Sequence, residues 1–132
     1  MSSVTEIKPP RHLVGLSDPG IRVHRVLSAA SNNAAVIKAA PGVLFGVLLI
    51  NSTSTVYYLK LYDQTSTPNP AADTPYMTIP IPHSSGAGGG VVCPSLPGVP
   101  FNTGMAMVLV AGQGDTDNTA AATGVAINLF YK

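Results

Sequence analysis

The sequence predicts an all-β fold, a jelly-roll-like antiparallel β-sandwich of about eight strands with an extended N-terminal arm, on three observations. Thirteen glycines and twelve prolines in 132 residues disfavour long helices, because an interior glycine costs ~1 kcal/mol and an interior proline ~3 kcal/mol. From Ile21 onward the apolar residues fall into short stretches separated by turn chemistry, the pattern of a sandwich or barrel. The length is that of one domain, enough to bury a core without disulfide or metal staples, in keeping with a single cysteine, Cys93. Residues 1–20 read as the arm, broken by Pro9, Pro10, Pro19 and Gly20 without a sustained period, and residues 21–132 as the sandwich.

The first strand, Ile21 to Ser28, places Ile21, Val23 and Leu27 on one face and Arg22, His24 and Ser28 on the other. Ser31-Asn32-Asn33 turns the chain into a second strand, Ala34 to Ala39, which Pro41-Gly42 ends. The third, Val43 to Asn51, is apolar on both faces, with Phe45, Val47 and Leu49 opposite Leu44, Leu48 and Ile50. That pattern predicts a central strand covered on both sides. The polar Ser52-Thr53-Ser54 predicts a hairpin into a fourth strand, Thr55 to Asp63. There Tyr57, Leu59 and Leu61 alternate with Val56, Tyr58, Lys60 and Tyr62.

The proline-rich stretch from Gln64 to Pro75 reads as a long connection passing between sheets. A fifth strand, Tyr76 to Pro82, carries Pro80 and Pro82, and proline cannot donate to a ladder, so an edge position is expected. After the glycine run Gly86–Gly90 come a short strand, Val91 to Cys93, a turn-rich connection from Pro94 to Pro100, and two last strands, Met105 to Ala111 and Val125 to Tyr131.

Candidate chemistry is sparse. Charged residues make up 10% of the chain, against about 25% in ordinary soluble domains, and the only glutamate, Glu6, lies in the arm. Paired-carboxylate catalysis therefore has little to work with. Asp115 and Asp117 share a loop that lacks the glycine and bidentate glutamate of an EF-hand, so a self-capping turn is the simpler reading beside a cation site. His12, His24 and His83 show no zinc spacing, and Cys93 reads as a small buried hydrophobe rather than a nucleophile. The glycine run lacks the Gly-Lys-Ser/Thr ending of a phosphate loop. No cofactor is expected. Asn51-Ser52-Thr53 matches a glycosylation triplet, a motif that recurs by chance.

Two groups of residues point to binding. Tyr58, Lys60 and Tyr62 alternate along one strand face, where aromatics flanking a cation could stack a sugar ring or contact a partner chain. Residues 1–38 hold Lys8, Arg11, Arg22, Arg25 and Lys38 against Glu6 and Asp18, whereas the remainder holds Lys60 and Lys132 against four aspartates. Five dispersed cations without interleaved aromatics make a weak nucleic-acid footprint, so the basic end is expected to drape over an acidic protein surface through Lys8, Arg11, Arg22 and Arg25. The longest apolar run, Val43 to Ile50, is far short of the ~20 residues of a membrane helix, and the first residues lack a basic start followed by an apolar core. No membrane partner is expected.

Several fragments carry a resemblance. Ala30-Ser31-Asn32-Asn33-Ala34, Val36-Ile37-Lys38-Ala39-Ala40-Pro41-Gly42, Val56-Tyr57-Tyr58-Leu59-Lys60-Leu61-Tyr62-Asp63, Asp73-Thr74-Pro75, Ile79-Pro80-Ile81-Pro82, Phe101-Asn102-Thr103-Gly104-Met105-Ala106 and Gly114-Asp115-Thr116-Asp117 together resemble small structural proteins of tailed bacteriophages. The resemblance spans about residues 28–131 and leaves residues 1–27 outside it. It implies a β-sandwich module on the virion head or tail and no catalytic residues.

The expectation is therefore a non-enzymatic capsid decoration (cement) protein on the capsid exterior, assembled in the host bacterial cytoplasm. Its expected partners are the major capsid protein and itself, as a homotrimer or another symmetric oligomer. The alternative is a tail- or fibre-associated module that binds host-surface glycan through Tyr58, Lys60 and Tyr62.

Overall fold

A computed structural model describes residues 20–84 and 89–132. The arm expected over residues 1–20, Lys8 and Arg11 included, lies outside the described residues except for Gly20. Among the described residues nine strands follow in order: β1 (Arg22–Leu27), β2 (Ala35–Lys38), β3 (Gly42–Asn51), β4 (Tyr57–Tyr62), β5 (Met77–Ile81), β6 (Gly90–Val92), β7 (Ser95–Phe101), β8 (Met105–Val110) and β9 (Val125–Tyr131).

All the pairings are antiparallel, in two sheets. One sheet has the order β1-β9-β3-β6, with β7 also on β3, and the other β2-β8-β4-β5. Because β6 pairs with Leu49 to Asn51 and β7 with Gly42 to Gly46, the two share one strand position beside β3. The pairs β1·β9, β2·β8, β3·β6/β7 and β4·β5 are those of one long hairpin rolled over on itself. That is the jelly-roll arrangement, and the fold is an all-β sandwich as the sequence predicts.

The core fills the space between the sheets. Leu44, Val47, Leu49, Ile127 and Leu129 of the first sheet meet Leu59, Leu61, Met105, Met107 and Leu109 of the second, all at or near zero exposure. Phe101 closes one end, packed edge-on against Tyr76 with ring centroids 5.0 Å apart. The edge position expected for the proline-bearing strand is found: β5 borders the second sheet, with Pro80 opposite Tyr58.

Three expectations are corrected. The predicted hairpin between the third and fourth strands does not form, since β3 and β4 belong to different sheets. The segment between them crosses the sandwich around Asn51, which is fully buried. Its amide donates to Thr55 O at 2.8 Å and accepts from Thr53 N and Oγ1 at 2.9 and 2.7 Å. A buried amide needs such partners, and the nominal glycosylation asparagine is thus the clamp of the crossover. Conversely, the connection from Gln64 to Pro75 joins two neighbours of one sheet, β4 and β5. Finally, the stretch read as a turn-rich connection after Pro94 contains β7, because prolines are tolerated on an outer strand that follows a bulged partner.

That bulge also rearranges β3. Register shifts between Leu44 and Gly46 in both of its pairings, so Phe45 is the extra residue and Leu44 joins Val47 and Leu49 on the core face. The alternation read from sequence placed Leu44 opposite them; one inserted residue reverses the face. Gly90 has a different role, since a Cβ there would land on the Pro82 carbonyl, so this glycine lets β6 pass closely by the end of β5.

Candidate interaction site

The two sheets each have an outer face, and the five sequence-predicted contact residues within the described part lie on one strand of each sheet, Arg22 and Arg25 on β1 and Tyr58, Lys60 and Tyr62 on β4. Directly opposed residues of an antiparallel pair share a face. On the second sheet, β4 presents Tyr58, Lys60 and Tyr62 outward, beside Ala106 and Val108 of β8. The structure corrects the reading of these three as a contact face: Lys60 and Tyr62 are completely buried and Tyr58 is half-buried.

The chain's own connections cover them. Lys60 Nζ donates to the carbonyls of Gly114 and Asp117, and the β8–β9 connection closes over it. Tyr62, Ala106, Val108 and Val110 form a second small core with Ala34 and Val36 packed against it. Burial lowers the pKa of the Lys60 ammonium, opposed by Asp117 and Asp115. The Tyr62 hydroxyl is buried without a hydrogen-bond partner. Burial, reinforced by Asp73 and Asp115, pushes its pKa up to about 12.

The Asp115–Asp117 loop is accordingly organised around an ammonium. The Asp117 carboxylate accepts from Thr119 N at 2.9 Å and from Thr119 Oγ1 at 3.3 Å, the self-capping turn expected from sequence. Among the described residues no three His, Cys, Asp or Glu side chains are grouped to hold a metal ion. Cys93 is exposed, contrary to the buried position expected. It sits just past β6 at the sheet's margin, where no core lies over it.

A carboxylate that the sequence reading passed over organises the turn between β7 and β8. Asp63 accepts from Asn102 N, Thr103 N and Gly104 N at 3.0, 2.8 and 3.2 Å. Desolvation raises its pKa, but the three N–H groups outweigh it and hold the carboxyl below the usual range.

The outer face of the first sheet is built differently. Val23, Arg25 and Leu27 of β1 lie opposite Phe130, Asn128 and Ala126 of β9, which in turn lie opposite Gly46, Leu48 and Ile50 of β3, and Ile50 lies opposite Val91 of β6. Here Leu27 is 61% exposed, Val23 56%, Val91 54% and Ile50 37%. The third strand was expected to be covered on both sides; its outer side is covered only in part, with Gly46 buried, Leu48 half-buried and Ile50 exposed.

At the far end of β1 this face sinks into a depression of about 370 Å³, between Leu27 and Ser28, Ile50 and Ser52, and residues 123–126. Ser28 fixes its floor, donating to Ala122 O at 2.6 Å and accepting from Val125 N at 3.0 Å. Of the basic residues predicted to contact a partner, Arg25 is exposed on this face and Arg22 is exposed on the same strand. All four aspartates of the described residues, Asp63, Asp73, Asp115 and Asp117, lie in segments that follow β4 or β8, strands of the other sheet. One outer face is thus apolar and cationic and the other is sealed.

No family model, curated protein or solved structure matches this chain. Its functional reading rests on the geometry of these two faces and on the fragments described above.

Proposed function

We propose that the protein is a virion structural protein of a tailed bacteriophage, a capsid decoration protein that binds the outer capsid surface and strengthens contacts between major capsid proteins. The observation that carries the proposal is the open apolar face of the first sheet, on a chain otherwise poor in charge. Contiguous exposed apolar surface of this kind marks association sites. In this reading the apolar face joins neighbouring subunits, while Lys8 and Arg11, with Arg22 and Arg25, meet acidic coat surface. The mechanism is associative: each bound copy adds interface where internal DNA pressure would separate coat subunits. A stable attachment of this kind needs more than about 1,000 Å² of buried surface.

Burial of Lys60 and Tyr62 supports this reading over the glycan-binding alternative, which needs them at the surface beside Tyr58. Quantitative mass spectrometry of purified virions tests the proposal. A copy number of the same order as the major capsid protein is expected. A handful of copies places the protein at the tail or a vertex, and absence from the particle overturns the virion assignment. In full-length protein, Lys8→Gln with Arg11→Gln is expected to weaken binding to undecorated capsids, most strongly at low salt.

A further inference from the structure

Among the described residues two buried side-chain polar atoms lack a hydrogen-bond partner, the Tyr62 hydroxyl and His24 Nε2. The first lies in the sealed second sheet. The second lies on β1, an edge strand of the first sheet, and it belongs to a group that titrates near neutral pH.

The two charge states of His24 fit this position unequally. A neutral imidazole carries one N–H, which it can place on Nδ1 while Nε2 keeps a bare lone pair. An imidazolium carries an N–H on both nitrogens, so protonation puts a charged donor with no acceptor at the buried Nε2, and an unpaired buried charge is expensive. No carboxylate stands by to answer it. His24 lies opposite Leu129, on the same side of β1 as Arg22 and Val26, and β9 adds only Tyr131, opposite Arg22. The corresponding edge of the second sheet, β2, carries Lys38, and β3 and β8 carry no titratable side chain. The neighbouring charges, Arg22, Arg25 and Lys38, are thus all cations. Desolvation lowers the pKa of His24 accordingly.

β1 is also the strand whose side chains hold it least. Val23, Arg25 and Leu27 point outward and are exposed, and on the inner side Val26 is the residue of β1 that packs against the core. Its ladder is with β9 alone, whereas β9 is paired with β3 as well. Beyond Leu27 the chain is fastened firmly: Ser28 is buried, its N–H donates to Val125 O at 2.8 Å, and its hydroxyl donates to Ala122 O at 2.6 Å and accepts from Val125 N at 3.0 Å. The strand can therefore lift as far as Ser28 without disturbing the sheets behind it.

We infer that β1 is an acid-released strand: protonation of His24 lifts Arg22–Leu27 off β9, with Ser28 as the pivot, while the remaining strands stay paired. Release takes Val23, Arg25 and Leu27 out of the open face together, so acid dismantles the apolar and cationic surface of that face as a unit. The inference stands on His24 and its strand and does not depend on the capsid reading.

Hydrogen exchange of the full-length protein tests it, read amide by amide by NMR at pH 7.5 and pH 5.0 and corrected for the intrinsic pH dependence of exchange. Continued from the bond of Ser28 N to Val125 O, the alternation of an antiparallel ladder places the amides of His24, Val26, Ile127 and Leu129 between the two strands. Opening at these amides is expected to rise several-fold at pH 5.0, by the factor with which protonation favours the lifted strand. Amides of β4 and β8 are expected to keep their protection. His24→Leu retains an apolar inner side and removes the titration, so it is expected to show wild-type protection at pH 7.5 and no rise at pH 5.0; His24→Gln repeats the comparison with a neutral polar side chain.

The imidazole resonance missing from these variants identifies His24 beside His12 and His83, and its titration midpoint is expected below the ordinary 6.5. A midpoint at or above that value overturns the inference, as does the absence of any rise in opening. A rise that survives both substitutions, or one shared equally by β4 and β8, overturns it as well, the first because another group is titrating and the second because the whole sandwich, not β1, is yielding.

Discussion

The two outer faces of this sandwich start from similar sequence and end differently. Met105 to Val110 of β8 and Val43 to Ile50 of β3 are both apolar on each side of the strand. In β8 every residue is buried, because the chain's own loops and the Lys60 ammonium close over the outer side. In β3 the cover of the outer side falls away along the strand, from buried Gly46 through half-buried Leu48 to exposed Ile50 at the rim of an open depression. An apolar strand face thus reports that something covers it, and leaves open whether the cover is the same chain or another molecule.

Breaking the cover of the second sheet should have the largest effect. Lys60→Ala leaves the carbonyls of Gly114 and Asp117 without their donor and opens a void beneath the loop, which is expected to cost about 3 kcal/mol in urea unfolding. Arg25→Ala on the open face should change stability by no more than about 0.5 kcal/mol. Equal losses at both positions would mean that the faces are not energetically distinct.

A matched apolar pair sharpens the contrast. Val108→Ala, at zero exposure, is expected to cost about 2 kcal/mol through lost contacts and a residual cavity. Val91→Ala on the open face should fall within about 0.5 kcal/mol in the same unfolding measurement.

Alkaline titration reads the sealed face in another way. Tyr62 keeps its proton up to about pH 12 in the folded state, while an unfolded tyrosine ionises near 10. The unfolded state therefore loses the proton first, and stability should fall as pH rises from about 10 to 12. Tyr62→Phe should abolish that component. At neutral pH the same substitution should be neutral or stabilising by up to about 1 kcal/mol, because it removes a buried hydroxyl that has no partner.

The smallest effect is expected at the margin of the open sheet. His24 on β1 is half-buried, and desolvation lowers its pKa. The unfolded state then takes up a proton near pH 6.5 that the folded state resists, so stability should decline slightly as pH falls below that value. His24→Asn, compared by thermal melts at pH 7.5 and 5.5, should flatten the decline.

Much of the fold was legible along the chain. β1, β2, β5, β8 and β9 lie within a residue or two of their expected bounds, since alternation and turn residues are local signals. Pro80 marked an edge strand because a missing N–H is a property of one residue. Other features were not local. The exchange of sheets at Asn51 depends on a carbonyl at Ile81, 30 residues away, and a polar three-residue stretch reads the same whether it turns within a sheet or crosses between two. β7 was hidden because its prolines obscure alternation, and its strand character exists only beside β3.

The candidate site shows the same division. Tyr58, Lys60 and Tyr62 do share the outward side of one strand, as their spacing dictates, yet whether that side meets water depends on a loop more than 50 residues further on. The apolar outer side of β3 was visible in the sequence, and its openness was not. By itself the sequence determined the strand content, the glycine- and proline-marked turns, and the presence of more apolar strand surface than one core requires. Only the tertiary structure decided which of those surfaces is covered, because covering is made by residues distant in sequence whose placement the local periodicity of a strand does not contain.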